Sequence, residues 1–198
     1  MHRSACFLLA GLLLCIGLTA CATPYGVYAD KRPIEILKED ALLRSRVSDA
    51  LKAQGFTGVN ELTVHAYFGR VFLTGEAPEH QRSKAVQIAK GVRGVANVTP
   101  HWFTSLKVDT EGDTAIKLRL EKNLVSTDGV TSSRIDNVVN SGRVVLLGVV
   151  ESEAERAAAV KAARHTDGVR SVTSYLFMRD KAPAPLQPPK PEPKPQSV

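Results

Sequence analysis

Gly69–Gly75 reads GRVFLTG and Gly142–Gly148 reads GRVVLLG, nearly the same seven residues 73 positions later. One Gly-x-Val-x-Leu-x-Gly string suits any hairpin strand. A second copy at the spacing of a small domain points to an internal repeat. The correspondence spreads outward. Upstream, Asp40, Leu43, Arg46, Val47 and Leu51 meet Asp113, Ile116, Arg119, Leu120 and Leu124 at the same offset. Downstream, after a one-residue gain, Glu79, Arg82, Ala85, Ala89, Gly94 and Val98 meet Glu153, Arg156, Ala159, Ala163, Gly168 and Val172. The chain holds a duplicated domain.

Hydrophobic period gives each copy its elements. Leu43, Val47, Leu51 and Ile116, Leu120, Leu124 recur every fourth residue, the spacing of one helix face. A strand, a turn at YFGR or NSGR and a second strand follow, with Gly69 and Gly142 in the turn, where positive φ costs no Cβ clash. Val71 and Leu73 alternate with Phe72 and Thr74, the pattern of a half-buried strand. Ala-rich helices are expected from Glu79 to Lys90 and from Ser152 to Arg164, ended by Gly94 and Gly168. The strands VANVTPHWF and VRSVTSYLF close the units. The order is α-β-β-α-β, twice: an α+β fold of two tandem sandwich domains, residues 34–106 and 107–180. Units this small sit near the lower limit for an independent core, so the copies are expected to lie against one another.

The extremes of composition are at the ends. Residues 1–20 have a short basic start and an apolar run from Phe7 to Leu18, too short to span a membrane and typical of an export signal. Leu18-Thr19-Ala20-Cys21 resembles the lipobox of bacterial lipoproteins, in which the cysteine is acylated after cleavage. A plain signal peptide with an incidental cysteine is the alternative. Cys6 and Cys15 fall in the removed segment, so acylation of Cys21 would consume the last free thiol. Ala22, rather than Asp, after that cysteine favours the outer membrane by resemblance to enteric sorting rules. Residues 21–33 form a lipidated linker. Residues 181–198 hold seven of the eleven prolines and read as a disordered, extended tail, either a solvated terminus or a spacer.

The net charge of +6 is spread thinly. Residues 30–104 hold 11 basic and 8 acidic side chains, and residues 105–180 hold 11 of each, so neither domain offers the basic stripe of a nucleic-acid binder. The five histidines are scattered, and GxSxG, P-loop, GxGxxG and HExxH motifs are absent from the sequence. No catalytic residue, metal ligand or cofactor site is expected, and the reading is of a binding protein. His80 and His165 fall on or near exposed helix positions. Trp102, beside His101 and Phe103, suits a structural place at the domain junction or, alternatively, a membrane anchor.

The first helix of the second unit, DTAIKLRLEKNLV, departs from a plain amphipathic pattern. Steps of 100° put Ala115, Leu118, Lys122 and Val125 opposite the core face, with Lys117 and Arg119 on the flanks. Apolar side chains beside basic ones, turned away from the core, are what contact with an anionic membrane surface requires. A solvated face, or contact with the first unit, would also accommodate them. The copies have diverged here, since the first unit has Ser45 for Leu118 and Asp49 for Lys122.

Two units of helix, GxVxLxG hairpin, Ala-rich helix and GVxxV strand resemble BON domains, most clearly in LTVHAYFGRVFLTGEAP and SKAVQIAKGV. With the lipobox in front, residues 34 to 178 are similar to dual-BON outer-membrane lipoproteins. That resemblance implies a lipid-anchored protein on the outer membrane, facing the periplasm, that supports membrane integrity and is placed at division sites with the help of phospholipid binding. It also implies binding of anionic phospholipid through the first helix of the second domain, here Ala115, Lys117, Leu118, Arg119, Lys122 and Val125. Two positions depart from the family: Ala115 stands where an exposed Trp is expected, and Glu121 where an Arg is. Both weaken insertion, and Lys117 and Lys122 restore part of the charge. The alternative is a periplasmic scaffold or chaperone-like factor whose helix docks an envelope protein instead.

Overall fold

The computed structural model describes residues 32–56, 62–104 and 110–178. Cys21, the export signal and the Pro-rich tail lie outside them. From Arg32 onward the described residues form one compact unit. Its first half runs α1 (Ile34–Ala53), β1 (Thr63–Tyr67), β2 (Arg70–Gly75), α2 (Glu79–Lys90), β3 (Asn97–Trp102). Its second runs α3 (Thr110–Ser126), β4 (Ile135–Asn140), β5 (Arg143–Val150), α4 (Glu153–Arg164), β6 (Ser171–Met178), with a 3-10 turn at Ser132–Arg134. The sheets are ordered β1-β2-β3 and β4-β5-β6. The repeated string is the central strand of each, antiparallel to its hairpin mate and parallel to the last strand. The parallel pairs need crossovers, which α2 and α4 supply.

Each hairpin turns in two residues with positive φ at both: Phe68 at 52° and Gly69 at 75°, Ser141 at 51° and Gly142 at 73°. That is a type I′ turn, whose twist matches the flanking strands. The aspartate shared by the repeats ties the first helix to this turn. Asp113 accepts from the backbone N–H of Ser141 at 2.6 Å and of Gly142 at 2.8 Å. Asp40 accepts from Gly69 N–H at 3.4 Å and pairs with Arg32 at 3.0 Å. Burial raises the Asp40 pKa, against the pull of the Phe68 and Gly69 N–H groups and the Arg32 charge.

The central strands are buried on both faces rather than half-buried. Val71 and Leu73 enter a core with Leu43, Val47, Leu51, Ala85 and Ala89 beneath α1 and α2. Val144, Leu146 and Val150 do the same beneath α3 and α4. The opposite faces meet in a third core, where Tyr67, Phe72 and Phe103 touch Val145, Leu147 and Val149. The result is four layers, helix–sheet–sheet–helix, and the two copies do lie against one another. This explains Phe72 and Thr74 at 5% and 0% exposure, positions the alternation assigns to solvent. Strand parity also corrects Trp102. It faces the helices, packed against the first core with the Arg82 guanidinium 6.0 Å above its ring. Its neighbours His101 and Phe103 face the junction instead, where His101 Nδ1 lies 3.1 Å from the Tyr175 hydroxyl. Nor do Gly94 and Gly168 end the second helices, which stop four residues earlier, at Lys90 and Arg164. A Cβ on Gly168 would sit 2.8 Å from Ile116 Cγ1, so its role is the close approach of α3.

Several polar contacts cross the junction: besides His101–Tyr175, Asn140 Nδ2 donates to Glu76 Oε1 at 2.8 Å, and a buried tyrosine meets a carboxylate. Tyr67, 4% exposed, donates its hydroxyl proton to Asp136, and His65 Nδ1 lies 3.4 Å from the same carboxylate. Burial raises the Asp136 pKa, but hydrogen bonding to His65 and Tyr67 and the positive field of His65 and Arg44 outweigh it and hold the group below its ordinary value. Burial, then the Asp136 charge, drives the Tyr67 phenol well above its own. A carboxyl depressed by folding contributes stability above its unfolded pKa, about 4, and loses it as pH falls through the folded value. Urea midpoints should therefore drop as pH falls from about 5 to about 3, and drop less in Asp136→Asn. Parallel curves for the two proteins would contradict this assignment.

Candidate functional site

Helix α3 presents Ile116, Leu120 and Leu124, at 8%, 0% and 1% exposure, to the second core. Its far side carries Leu118 at 63% and Val125 at 71% exposure, with Lys122 exposed between them. Of the six residues that the sequence pattern selects, these three form the outward face. Ala115 is half-buried at its margin. Arg119 is turned aside: its Nε donates to the Asp167 carbonyl at 3.2 Å, fastening α3 to the turn after α4. Lys117 lies 3.9 Å from Glu121, an i,i+4 pair exposed on both sides. Among the described residues, Lys122 has no ion pair.

A groove of about 330 Å³ runs beside this face, between α3 and the start of β4. Lys117, Ser132, Ser133 and Asn137 supply donors to it, but Glu121 and Asp136 also line it. Two carboxylates against one ammonium disfavour a phosphate there, so the groove is a poorer anion site than the open face around Lys122. Among the described residues no cluster of three or more His, Cys, Asp or Glu could hold a metal ion. None of their helices is long and apolar enough to cross a membrane.

The position of Leu118 depends on how firmly α3 is held. Asp113 fixes its start to the β4–β5 hairpin. Asn123 Nδ2 donates to Thr166 Oγ1 at 2.9 Å, fixing its last third to the turn after α4. The face is thus carried by a rigid element, and its apolar residues cannot turn inward without breaking these bonds. The first domain offers a weaker counterpart. Leu42, which stands where Ala115 does in the second copy, is 61% exposed, but Asp49 replaces Lys122 and accepts from Ser45 at 3.3 Å. The sequence pattern does not single out Leu42, because Ser45 and Asp49 stand in this copy where Leu118 and Lys122 stand in the other.

A protein-family model described as "BON domain" matches residues 39–101 and again residues 112–178. The chain belongs to the BON-domain family. Each matched stretch covers one hairpin, its crossover helix and most of the first helix. Osmotically-inducible protein Y of Escherichia coli K12 is 30% identical over 145 residues, 70% of this chain and 72% of that protein. The 21 kDa hemolysin of Actinobacillus pleuropneumoniae is 28% identical over 152 residues, 74% of this chain and 78% of that one. Among solved structures, CdsD of the Chlamydia trachomatis type III secretion system aligns at 11% identity and a TM-score of 0.30, over 69% of this chain and 91% of that one. A likeness at that level says nothing about function.

Proposed function

We propose that this BON-domain protein is a lipid-anchored envelope protein that lays the outward face of α3 on anionic phospholipid and thereby supports outer-membrane integrity. The observation that carries the reading is the pair Leu118 and Val125, 63% and 71% exposed, flanking Lys122 on a helix fixed to its domain. Full burial of such an apolar side chain gives about 1.5–3 kcal/mol, and an interfacial contact gives part of that. A lysine near an anionic surface adds about 1 kcal/mol. A total near 4 kcal/mol corresponds to a Kd of about 1 mM. The helix therefore orients and selects rather than holds. Holding falls to acyl chains on Cys21, at about 0.8 kcal/mol for each buried CH₂.

Co-sedimentation of the chain from Ala22 onward with phosphatidylglycerol or phosphatidylcholine vesicles tests this. Binding should favour phosphatidylglycerol and weaken with salt. Lys122→Glu should lower the partition coefficient about tenfold or more. Lys117→Glu should do less, because Glu121, 3.9 Å away, already offsets part of that lysine's charge. Equal binding to both lipids, or an unaffected Lys122→Glu, would remove the lipid reading and leave α3 as a dock for an envelope protein.

A further inference from the structure

The two sheets treat their last strands differently. Among the described residues β3 and β6 are both edge strands, each paired on one side only. β3 carries Pro100, which has no N–H to offer and blunts its edge. The equivalent residue in β6 is Ser174, so that edge keeps its donor. Leu176 N–H, two residues on, donates to the Ser174 hydroxyl at 3.4 Å, in keeping with this parity as the outward one. β6 is eight residues long, Ser171–Met178, and none is charged. The remaining edges are less open to self-pairing. β4 carries the Asp136 carboxylate, and β1 is five residues long and meets Asp136 through His65 and Tyr67.

We infer that β6 is a dimerisation edge, pairing antiparallel with β6 of a second copy about a two-fold axis to make one six-stranded sheet. Neutrality decides the occupant: across a two-fold axis every residue faces its own kind, and a single charge at the centre would repel itself. The space beside the edge suits the same guest. A groove of about 560 Å³ lies between β6 and the first sheet, lined by Arg70, Phe72, Asn97, Thr99, Tyr175 and Phe177. Opposite residues of an antiparallel pair share a face, so the second copy's Tyr175 and Phe177 would lie along this aromatic wall. Pro100 explains why assembly stops at two, since the matching edge of the first domain accepts no further strand.

The geometry has a functional consequence. A two-fold axis perpendicular to the sheet keeps both α3 helices on the same side, so both outward faces could meet one membrane and a millimolar contact would gain avidity. That consequence rests on the lipid reading, whereas the dimer does not. Sedimentation velocity without lipid separates them, using the chain from Ala22 onward, which contains the whole compact unit and no cysteine. Its mass should approach twice the monomer value as concentration rises through the micromolar range. Ser174→Pro and Ser174→Lys should both stay monomeric with unchanged circular dichroism, while Ser83→Lys on α2 should dimerise normally. A wild type that remains monomeric to about 100 µM would overturn the inference and leave the edge to an extended peptide from another protein. A dimer that survives both Ser174 substitutions would also overturn it, placing the interface elsewhere.

Discussion

Glu155→Ala should lower the unfolding free energy by about 3–5 kcal/mol, the range for breaking a buried ion pair from one side. Glu155 is 5% exposed and Arg134 is 6% exposed. The carboxylate accepts from Arg134 Nη2 at 2.9 and 3.2 Å, from Thr131 N–H at 2.9 Å and from Glu151 N–H at 2.8 Å. Its own N–H donates to the Ser152 hydroxyl at 3.0 Å, the N-cap bond of α4, while its carboxylate reaches back to the N–H one residue before the cap. Removing the carboxylate strands two backbone donors and leaves the guanidinium with Glu151 alone, at 2.7 Å and half-exposed. The double variant Arg134→Met/Glu155→Gln should recover part of the loss, because the charge goes and an acceptor stays. Urea unfolding of the three proteins measures it. A loss below about 1 kcal/mol in Glu155→Ala would contradict this account of the second domain. The first domain has Gln81 at the equivalent place and no side-chain cap on α2, so Gln81→Ala should change little.

The second large effect lies in the repeated string itself. Gly148, its last residue, has φ of +137°, and a Cβ there would sit 2.1 Å from the Arg134 carbonyl oxygen. That oxygen belongs to backbone beside a side chain held by two carboxylates, so it cannot step aside cheaply. Strained φ at about 1–3 kcal/mol and overpacking at about 1–3 kcal/mol together predict a loss of about 3 kcal/mol or more for Gly148→Ala. Gly69→Ala should cost about 1–2 kcal/mol. Its φ of +75° is ordinary left-handed geometry, and the nearest contact is 3.3 Å. The ranking of the two, read from urea midpoints, is the result to look for. Equal losses would mean that the end of the string is no tighter than its turn.

Both effects show which parts of the fold a single sequence discloses. Period-four apolar residues and the doubled GxVxLxG string were enough for ten elements and the order α-β-β-α-β. Helix α2 begins and ends where its pattern does, and Ser152 is the N-cap rather than the first residue of α4. Burial on the second face was not legible, because Phe72 and Thr74 meet a surface that exists only once two sheets are apposed. Tyr67 and Asp136 are 69 residues apart and lie in different copies, with no periodicity to link them. The Ser152-x-x-Glu155 pattern of a helix start was present as a local signal, though the bond of Glu155 to Arg134 was not. At α3 the helical wheel picked out Leu118, Lys122 and Val125. It could not show that Arg119 is spent on Asp167 or that Glu121 offsets part of the Lys117 charge, because those facts depend on neighbours across a turn and on side-chain reach.

The apposed sheets set α1 and α3 on opposite outer layers, so one flat membrane can touch only one of them. Tryptophan fluorescence with brominated lipid therefore reports which face is used. In a Trp102→Phe background, Leu118→Trp on α3 and Leu42→Trp on α1 are compared on phosphatidylglycerol vesicles. Leu118→Trp should shift to the blue and be quenched by bromines near the headgroup, while Leu42→Trp remains as in buffer. Quenching at Leu42→Trp alone, or at neither position, would contradict membrane contact through α3.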